Sequence, residues 1–434
     1  MESQISVILI FVVAFLIFLI IGWPIAFAIG SASMLAYVFI AGEGALGNFA
    51  VLAYNAMFNY DLLALPIFIL MGAILIQGGV ASRLYDAVVP LMDRFPGGLI
   101  HTNVVANVIL GSCCGSTIAA TSAMSAVAVP ELLKRGYKKP ICYGSLAATG
   151  CLAGLIPPSV GMILYSSITP TDLGTLFIAG IIPGLILAVS FSIVIVVWVK
   201  YWPEVAPMAK EIMPFGKAIF NAIKHLWPLL ILIFVVLGAI YSGIATATES
   251  GCYGIAGALL LSYKNLTRKS LGKALSSSSQ ISGALLLIIA MASVYGFALN
   301  GLGLRQMIIE ILNELPGGTI TKIWSIWMLL LVLGMFIDSA SVTVIATPIL
   351  LPFVTALGFD SVWFGIFLIL ATELGNISPP VGVTLFAVQS TTGDSFTTIA
   401  KGALPFWISN FMAVTPIIWF PAIVSWLPST GLAG

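Results

Sequence analysis

The chain has 434 residues, of which 60% are hydrophobic and only 8% charged. A soluble domain carries about 25% charged residues, so this chain is built for lipid. Its net charge of +1 argues against nucleic acid as a partner.

Met1-Glu2-Ser3-Gln4 lacks the basic stretch that opens a secretory signal, so the first apolar run is expected to stay in the mature protein. A spanning helix needs about 20 apolar residues. In chain order, hydropathy predicts helices over 4–22, 24–41 and 61–80, a hairpin-like pair over 99–134, then helices over 138–167 and 174–200. The stretch 201–224 mixes Trp202, Met208, Phe215 and Phe220 with Lys and Glu and is interrupted by Pro203, Pro207 and Pro214. It is expected to lie in the cytoplasmic headgroup region as an amphipathic linker, which a plain surface linker would also satisfy. Helices then follow over 225–241, 247–264 and 281–300, a second pair over 320–357, and helices over 360–389 and 396–426.

The second half repeats the first at a fixed offset. Adding 222 takes Pro130 to Pro352, Gly136 to Gly358, Pro157-Pro158 to Pro379-Pro380, Asp172 to Asp394, Gly180 to Gly402 and Pro183 to Pro405. Upstream, Gly22 and Gly30 pair with Gly243 and Gly251, and Pro96-Gly97-Gly98 with Pro316-Gly317-Gly318, with slips of one or two residues. Pro and Gly dictate backbone shape, so two copies of one shape point to a transporter built from internal repeats.

The runs 99–134 and 320–357 are interrupted by Gly111-Ser112-Cys113-Cys114-Gly115-Ser116-Thr117 and by Asp338-Ser339-Ala340-Ser341. They are read as re-entrant hairpins, because non-helical backbone at that depth survives only where protein or water covers it. Ordinary packed spans with small residues at the interface are the alternative. With the N-terminus outside and five crossings per half, 15 of the 17 basic residues fall inside, leaving only Arg305 and Lys322 outside. Making the hairpins full crossings would scatter the Lys134–Lys139 cluster. An odd number of crossings turns the second copy over. The expected fold is therefore an all-α polytopic membrane protein of two inverted repeats, with about 10 transmembrane helices, two re-entrant hairpins and two proline-broken helices. Residues 1–200 form the first repeat, 201–224 the linker and 225–434 the second repeat.

Pro157-Pro158 and Pro379-Pro380 fall in mid-span and should break their helices. Ser378 before Pro379 has the look of an N-cap with proline at the first helical position. Carbonyls released at a break suit a small cation, and free N–H groups suit a carboxylate; a ligand-free proline kink is the alternative. Hairpin 1 offers Ser112, Gly115, Ser116, Thr117, Thr121 and Ser122, with Gly154 and Ser159 flanking the first break. Hairpin 2 offers Asp338, Ser339, Ser341 and Thr343, with Glu373, Gly375, Asn376 and Ser378 ahead of the second break. Asp338 stands 222 residues after Ser116, so the two tips correspond. No basic residue adjoins Asp338 in sequence, and a lone intramembrane carboxylate costs about 3 kcal/mol, so a bound cation is its expected partner. Few carboxylates among many hydroxyls suit a monovalent ion such as Na⁺ better than a divalent one.

Glu373 reads equally as a proton or cation site and as a protonated acid bonding across helices. Glu249 opens a helix after Thr246-Ala247-Thr248. Arg305 either meets an anionic substrate or snorkels to the interface. His101 and His225 sit at helix edges as interfacial residues. The five cysteines show no CxxC spacing and read as small buried hydrophobes.

Two hairpins, two broken helices and a Pro-Pro pair in each copy resemble the large membrane (M, DctM-like) subunit of tripartite ATP-independent periplasmic (TRAP) transporters. The carrying stretches are Gly111 to Thr117, Pro130 with Gly136-Tyr137, Leu155-Ile156-Pro157-Pro158-Ser159, and Gly375-Asn376-Ile377-Ser378-Pro379-Pro380-Val381-Gly382. The resemblance covers nearly the whole chain. It implies a Na⁺-driven importer of an organic acid such as a C4-dicarboxylate or sialic acid, working by an elevator mechanism and needing no cofactor beyond Na⁺ as coupling ion. It implies a small four-helix membrane subunit (Q type), expected as a separate chain, and a periplasmic substrate-binding protein (P type). It implies the bacterial inner membrane, with both termini periplasmic. Family members often carry Ala-Asp soon after the first tip. Here Ala119-Ala120-Thr121 stands there, so an assignment that depends on an aspartate in hairpin 1 does not carry over. A stand-alone carboxylate symporter and a channel are the competing readings. An intramembrane enzyme lacks any HExxH, Ser-His pairing or clustered metal ligands.

Overall fold

The computed structural model describes residues 13–15, 17–18, 21–42, 46–209, 211–301, 306, 310, 314 and 316–432. Most of the helix expected over 4–22 lies outside the described residues, as does Arg305. Among the described residues all regular structure is helical. The first half runs α1 (Ile25–Ala41), α2 (Leu46–Ala56), α3 (Asp61–Gln77), α4 (Val80–Met92), α5 (Gly98–Cys114), α6 (Thr117–Lys134), α7 (Lys139–Gly150), α8 (Leu152–Leu155), α9 (Val160–Ile168) and α10 (Leu173–Tyr201). The second runs α11 (Phe215–Tyr241), α12 (Ala247–Ser262), α13 (Arg268–Gly301), α14 (Thr319–Phe336), α15 (Ser339–Ala356), α16 (Ser361–Asn376), α17 (Val383–Thr392), α18 (Phe396–Trp419) and α19 (Ala422–Leu427).

Among the described residues seven helices are long and apolar enough to span a membrane, or up to eight if the bent pair α2–α3 is one span. Five of the seven match crossings among the ten expected; of the others, α1, α3, α12 and α16 have only 16 or 17 residues, and most of 4–22 lies outside the described residues. Both helices of the second pair, α14 and α15, do reach 18 residues. Two helices have no counterpart in the sequence reading, α2 and α4. Each is too short to span, and α4 carries Arg83 and Asp86 within its 13 residues. Two others start earlier than hydropathy indicates. Helix α11 takes in Phe215 to Lys224, and α13 begins at Arg268 and runs through the polar Ser276–Ser279. The run 396–426 is interrupted at Phe420.

Helix starts follow local chemistry. Thr246 and Glu249 form a capping box at α12, and Asp172 accepts from the Thr175 amide at α10. Prolines 130, 183, 352 and 405 lie inside helices, which neighbouring helices tolerate in a membrane.

Corresponding helices exchange partners between the halves. Helix α1 packs on α13, and its counterpart α12 packs on α3. A Cβ at Gly30 would collide with Met291, and one at Gly251 with Ile67. Small residues here let the backbones approach. Helices α7–α9 lie at the centre: 94% of this span is buried inside the protein, against 22% for α11. Asn103 and Asn107 on α5 donate to Ser145 (3.0 Å) and Thr149 (2.8 Å) on α7, fastening the first hairpin to the broken span.

Candidate functional site

Each helix pair turns back through a capped second helix. Gly115 adopts φ +60 at the first turn, and Ser116 Oγ accepts from the Ala119 amide. At the corresponding turn, Asp338 accepts from the Ser341 amide (3.0 Å) and the Ser341 hydroxyl (2.7 Å). The two residues 222 apart thus perform one task. The expected lone carboxylate has a protein partner after all, the N-terminus of α15.

Both Pro-Pro pairs sit at breaks, α8 to α9 and α16 to α17, and both Pro-Pro peptide bonds are cis. The first pair is buried, the second exposed. Ser159 caps α9, accepting from the Met162 amide and donating to the Gly154 carbonyl at 2.5 Å. Ser378 does not cap α17. That helix starts three residues beyond the prolines, with Gly382 at φ +62 ahead of it. Ser378 Oγ instead donates to the Leu374 carbonyl and accepts from Trp407 Nε1. Several carbonyls at the second break also carry protein donors: Leu374 takes Ser378 Oγ, Gly375 the Ser378 amide, and Asn376 takes Thr384 Oγ1. Each tip is tied to a break through the backbone, by Val160 N–H to Gly115 O and by Gly382 N–H to Met335 O, each 3.1 Å.

The tips and breaks converge on Glu373, which is only 2% exposed. Its Oε1 accepts from Thr117 Oγ1 (2.9 Å) and Ser339 Oγ (2.8 Å), one from each tip, and those residues are themselves 222 apart. Its Oε2 accepts from Asn376 Nδ2 at 3.3 Å. Cys151, the position corresponding to Glu373, donates its thiol to the Glu373 carbonyl. A Cβ at Gly154 would lie 2.6 Å from the Glu373 carboxyl carbon and 2.6 Å from Thr117 Oγ1, so only glycine leaves the carboxylate its place. A cavity of about 120 Å³ adjoins this centre, lined by Gly115, Ser116, Thr117, Gly154, Asp338, Ser339, Glu373 and Asn376 among others. Asn376 is 3% exposed, and its Oδ1 has no hydrogen-bond partner.

Residues 12–423 match the family described as tripartite ATP-independent periplasmic transporter, DctM component. The chain belongs to the DctM family. It is 31% identical to a C4-dicarboxylate TRAP transporter large permease protein of Pseudomonas aeruginosa, over 89% of this chain and 88% of that one. It is 29% identical to the sialic acid TRAP transporter permease protein of Haemophilus influenzae, over 95% of this chain and 67% of that one. Among solved structures it resembles the YdaH transporter of Alcanivorax borkumensis, with a TM-score of 0.62 at 14% identity and 91% of both chains covered, which shows the fold alone. This DctM-family chain is thus a multi-pass membrane protein with a TRAP permease role, and its relatives are permeases rather than enzymes.

Within this DctM chain the sequence-derived candidates divide. The eight named above line one cavity. Ser112, Thr121 and Thr343 instead bond back to carbonyls four residues earlier on their own helices, and Ser341 serves the Asp338 cap. Pro157, Pro158, Pro379 and Pro380 shape the breaks without lining the cavity, while Gly375 packs on Gly334. Ser159 and Ser378 are buried in their own hydrogen bonds. Ile281 and Leu285 of α13 do line the cavity. No chemical signal marks them in sequence, since one aliphatic residue on a long helix reads like another. His101 bonds the Pro96 carbonyl and His225 the Asn221 carbonyl, away from this cavity. Four cysteines are buried, but Cys252 is exposed.

Proposed function

We propose that this chain is the large permease of a sodium-coupled, binding-protein-dependent importer of a small organic acid anion, built from two inverted repeats and moving as an elevator. The observation that carries the reading is the double donation of Thr117 and Ser339 to one oxygen of Glu373. Two helix tips at corresponding positions meeting at one point is what a pseudo-two-fold arrangement produces. The contact of Cys151 with Glu373, corresponding positions touching each other, supports the same axis.

In this reading Glu373, Asp338 and the unpartnered Asn376 Oδ1 face the cation, together with the hydroxyl oxygens of Thr117 and Ser339, whose protons lie on Glu373, while Ser116 donates to the substrate. Among the described residues no three His, Cys, Asp or Glu side chains form a metal-binding group. Hydroxyl, amide and carboxylate oxygens suit Na⁺. The substrate carboxylate meets the start of α6 at the Thr117 and Ile118 N–H groups, those of Ala119 and Ala120 being taken by Ser116. The partners would be a Q-type small membrane subunit and a P-type periplasmic binding protein. The setting would be a bacterial inner membrane with both termini periplasmic.

The test is uptake into proteoliposomes with and without an inward Na⁺ gradient, the small subunit and the binding protein. Flux that requires all three is expected. Flux from this chain alone would make it a stand-alone carrier, and flux that does not saturate would make it a channel.

A further inference from the structure

A second cavity of about 320 Å³ lies between α3, α6 and α13 and adjoins the central one, with Ser116 and Ile281 in both linings. At that size it lies at the low end of the ~300–1,000 Å³ range of small-molecule sites. Ile69, Ala73 and Ile76 of α3 form one wall, and Ala119 and Ala123, one turn apart on α6, form another. Its further polar side chains are Gln77, Ser122 and Ser277. Among the described residues no Lys, Arg or His lines either cavity. Lys273, one turn before Ser277 on α13, is exposed and outside both linings. Among the described lining residues the ionisable acids are Asp338 and Glu373.

Resting on the permease function proposed above, we infer that the anion taken here is a monocarboxylate with an apolar tail. Of the described helix starts, three border the inner cavity. Helix α15 is capped by the Asp338 carboxylate. At α9 the Val160 and Met162 N–H groups are bonded to Gly115 O and Ser159 Oγ. This leaves the start of α6, where Ser116 presents its hydroxyl, as the place for a carboxylate. The buried, unpartnered Oδ1 of Asn376 in the same lining marks it as a ligand-facing surface, since a buried acceptor left unpaired is destabilising. A cation between that oxygen and Glu373 would bridge to the substrate carboxylate. A second carboxylate has no counterpart. It would lie against isoleucine and alanine, or against Asp338 and Glu373, and a charge so placed is disfavoured. A sugar acid with many hydroxyls would leave most of them facing the same apolar walls. An aliphatic tail of four or five carbons buries itself there instead, and each added methylene in such a pocket is worth about tenfold or more in discrimination.

The test uses the reconstituted complex with its small subunit and binding protein under an inward Na⁺ gradient. Labelled 4-methyl-2-oxopentanoate, succinate and N-acetylneuraminate are compared for uptake. In parallel, the melting temperature of the purified membrane complex in Na⁺ is read with each unlabelled acid. The branched monocarboxylate should be taken up with at least about tenfold higher kcat/KM than the other two, and it alone should raise the melting temperature. Ala123→Arg, which places a cation on the apolar wall, should swing the preference towards succinate by about tenfold. If that variant does not fold, the melting series on the unaltered complex decides. Succinate or N-acetylneuraminate preferred in both assays would overturn the inference and leave the permease reading intact. Uptake of none of the three, with no melting shift, would overturn both.

Discussion

At the scale of single residues, Glu373 holds the two tips together through one oxygen. Glu373→Gln keeps an acceptor for Thr117 and Ser339 but removes the charge. The new amide would face Asn376 Nδ2, and Asn376 can turn to present its unpartnered Oδ1 instead. The variant should therefore fold, with a melting temperature near the parent's, while Na⁺-driven uptake falls by about tenfold or more, a barrier change of ~1.4 kcal/mol. Unchanged uptake with an unchanged Na⁺ response would remove Glu373 from the ion pathway. Gly154→Ala tests the space rather than the charge. The added methyl must displace the carboxylate or Thr117, so stability should drop by about 1–3 kcal/mol. A thermal melt matching the parent would mean the centre is looser than its contacts indicate.

At the scale of elements, the breaks and caps carry the site. Asp338→Asn leaves an equally good N-cap for α15 but takes away a cavity charge, so the Na⁺ dependence of uptake should weaken more than the fold does. Uptake with an unaltered Na⁺ response would confine Asp338 to capping. Replacing Pro379-Pro380 by Ala-Ala should let α16 continue towards α17 and abolish uptake, and normal uptake would end the case for a site built on that break. The proline pairs and the polar interruptions at Ser116 and Asp338 made the breaks and turns legible in sequence, because Pro and Gly act on backbone shape directly. Ser378 misled for a local reason. Ser-Pro-Pro has the composition of a helix start, yet α17 waits for Gly382, and the serine is held by Leu374 and Trp407. Helices α2 and α4 were missed because neither is long or apolar enough to register as a span. The protein partner of Asp338 was not legible because sequence cannot show that a turn will aim a helix N-terminus at it. Glu373 stayed open between two roles because the donors that meet it come from 256 and 34 residues away.

At the scale of the whole molecule, the halves are joined at their surface as well as at Glu373. Lys139 and Tyr143, which begin the first broken span, bond the Asp394 carboxylate ahead of α18. Tyr143 and then Lys139 hold that carboxyl below its ordinary value. A depressed carboxyl stabilises the fold above its unfolded value of about 3.9 and ceases to as pH falls through the folded one. Asp394→Asn should therefore melt below the parent at pH 7, with the gap closing at acid pH. A gap that is absent at pH 7, or that does not narrow as pH falls below the unfolded value, would mean this contact does not tie the halves. Inversion itself is tested by sidedness. With five crossings per half, Lys134 after the first hairpin and Thr321 at the start of the second face opposite sides of the membrane. Both positions are exposed, and Cys252 is the exposed native thiol. In a Cys252→Ser background, Thr321→Cys should react with an impermeant maleimide in intact spheroplasts, and Lys134→Cys only after permeabilisation. Labelling of both from one side would give the two halves the same orientation. The meeting of Thr117 and Ser339 on one carboxylate would then need an explanation other than a two-fold axis in the membrane plane.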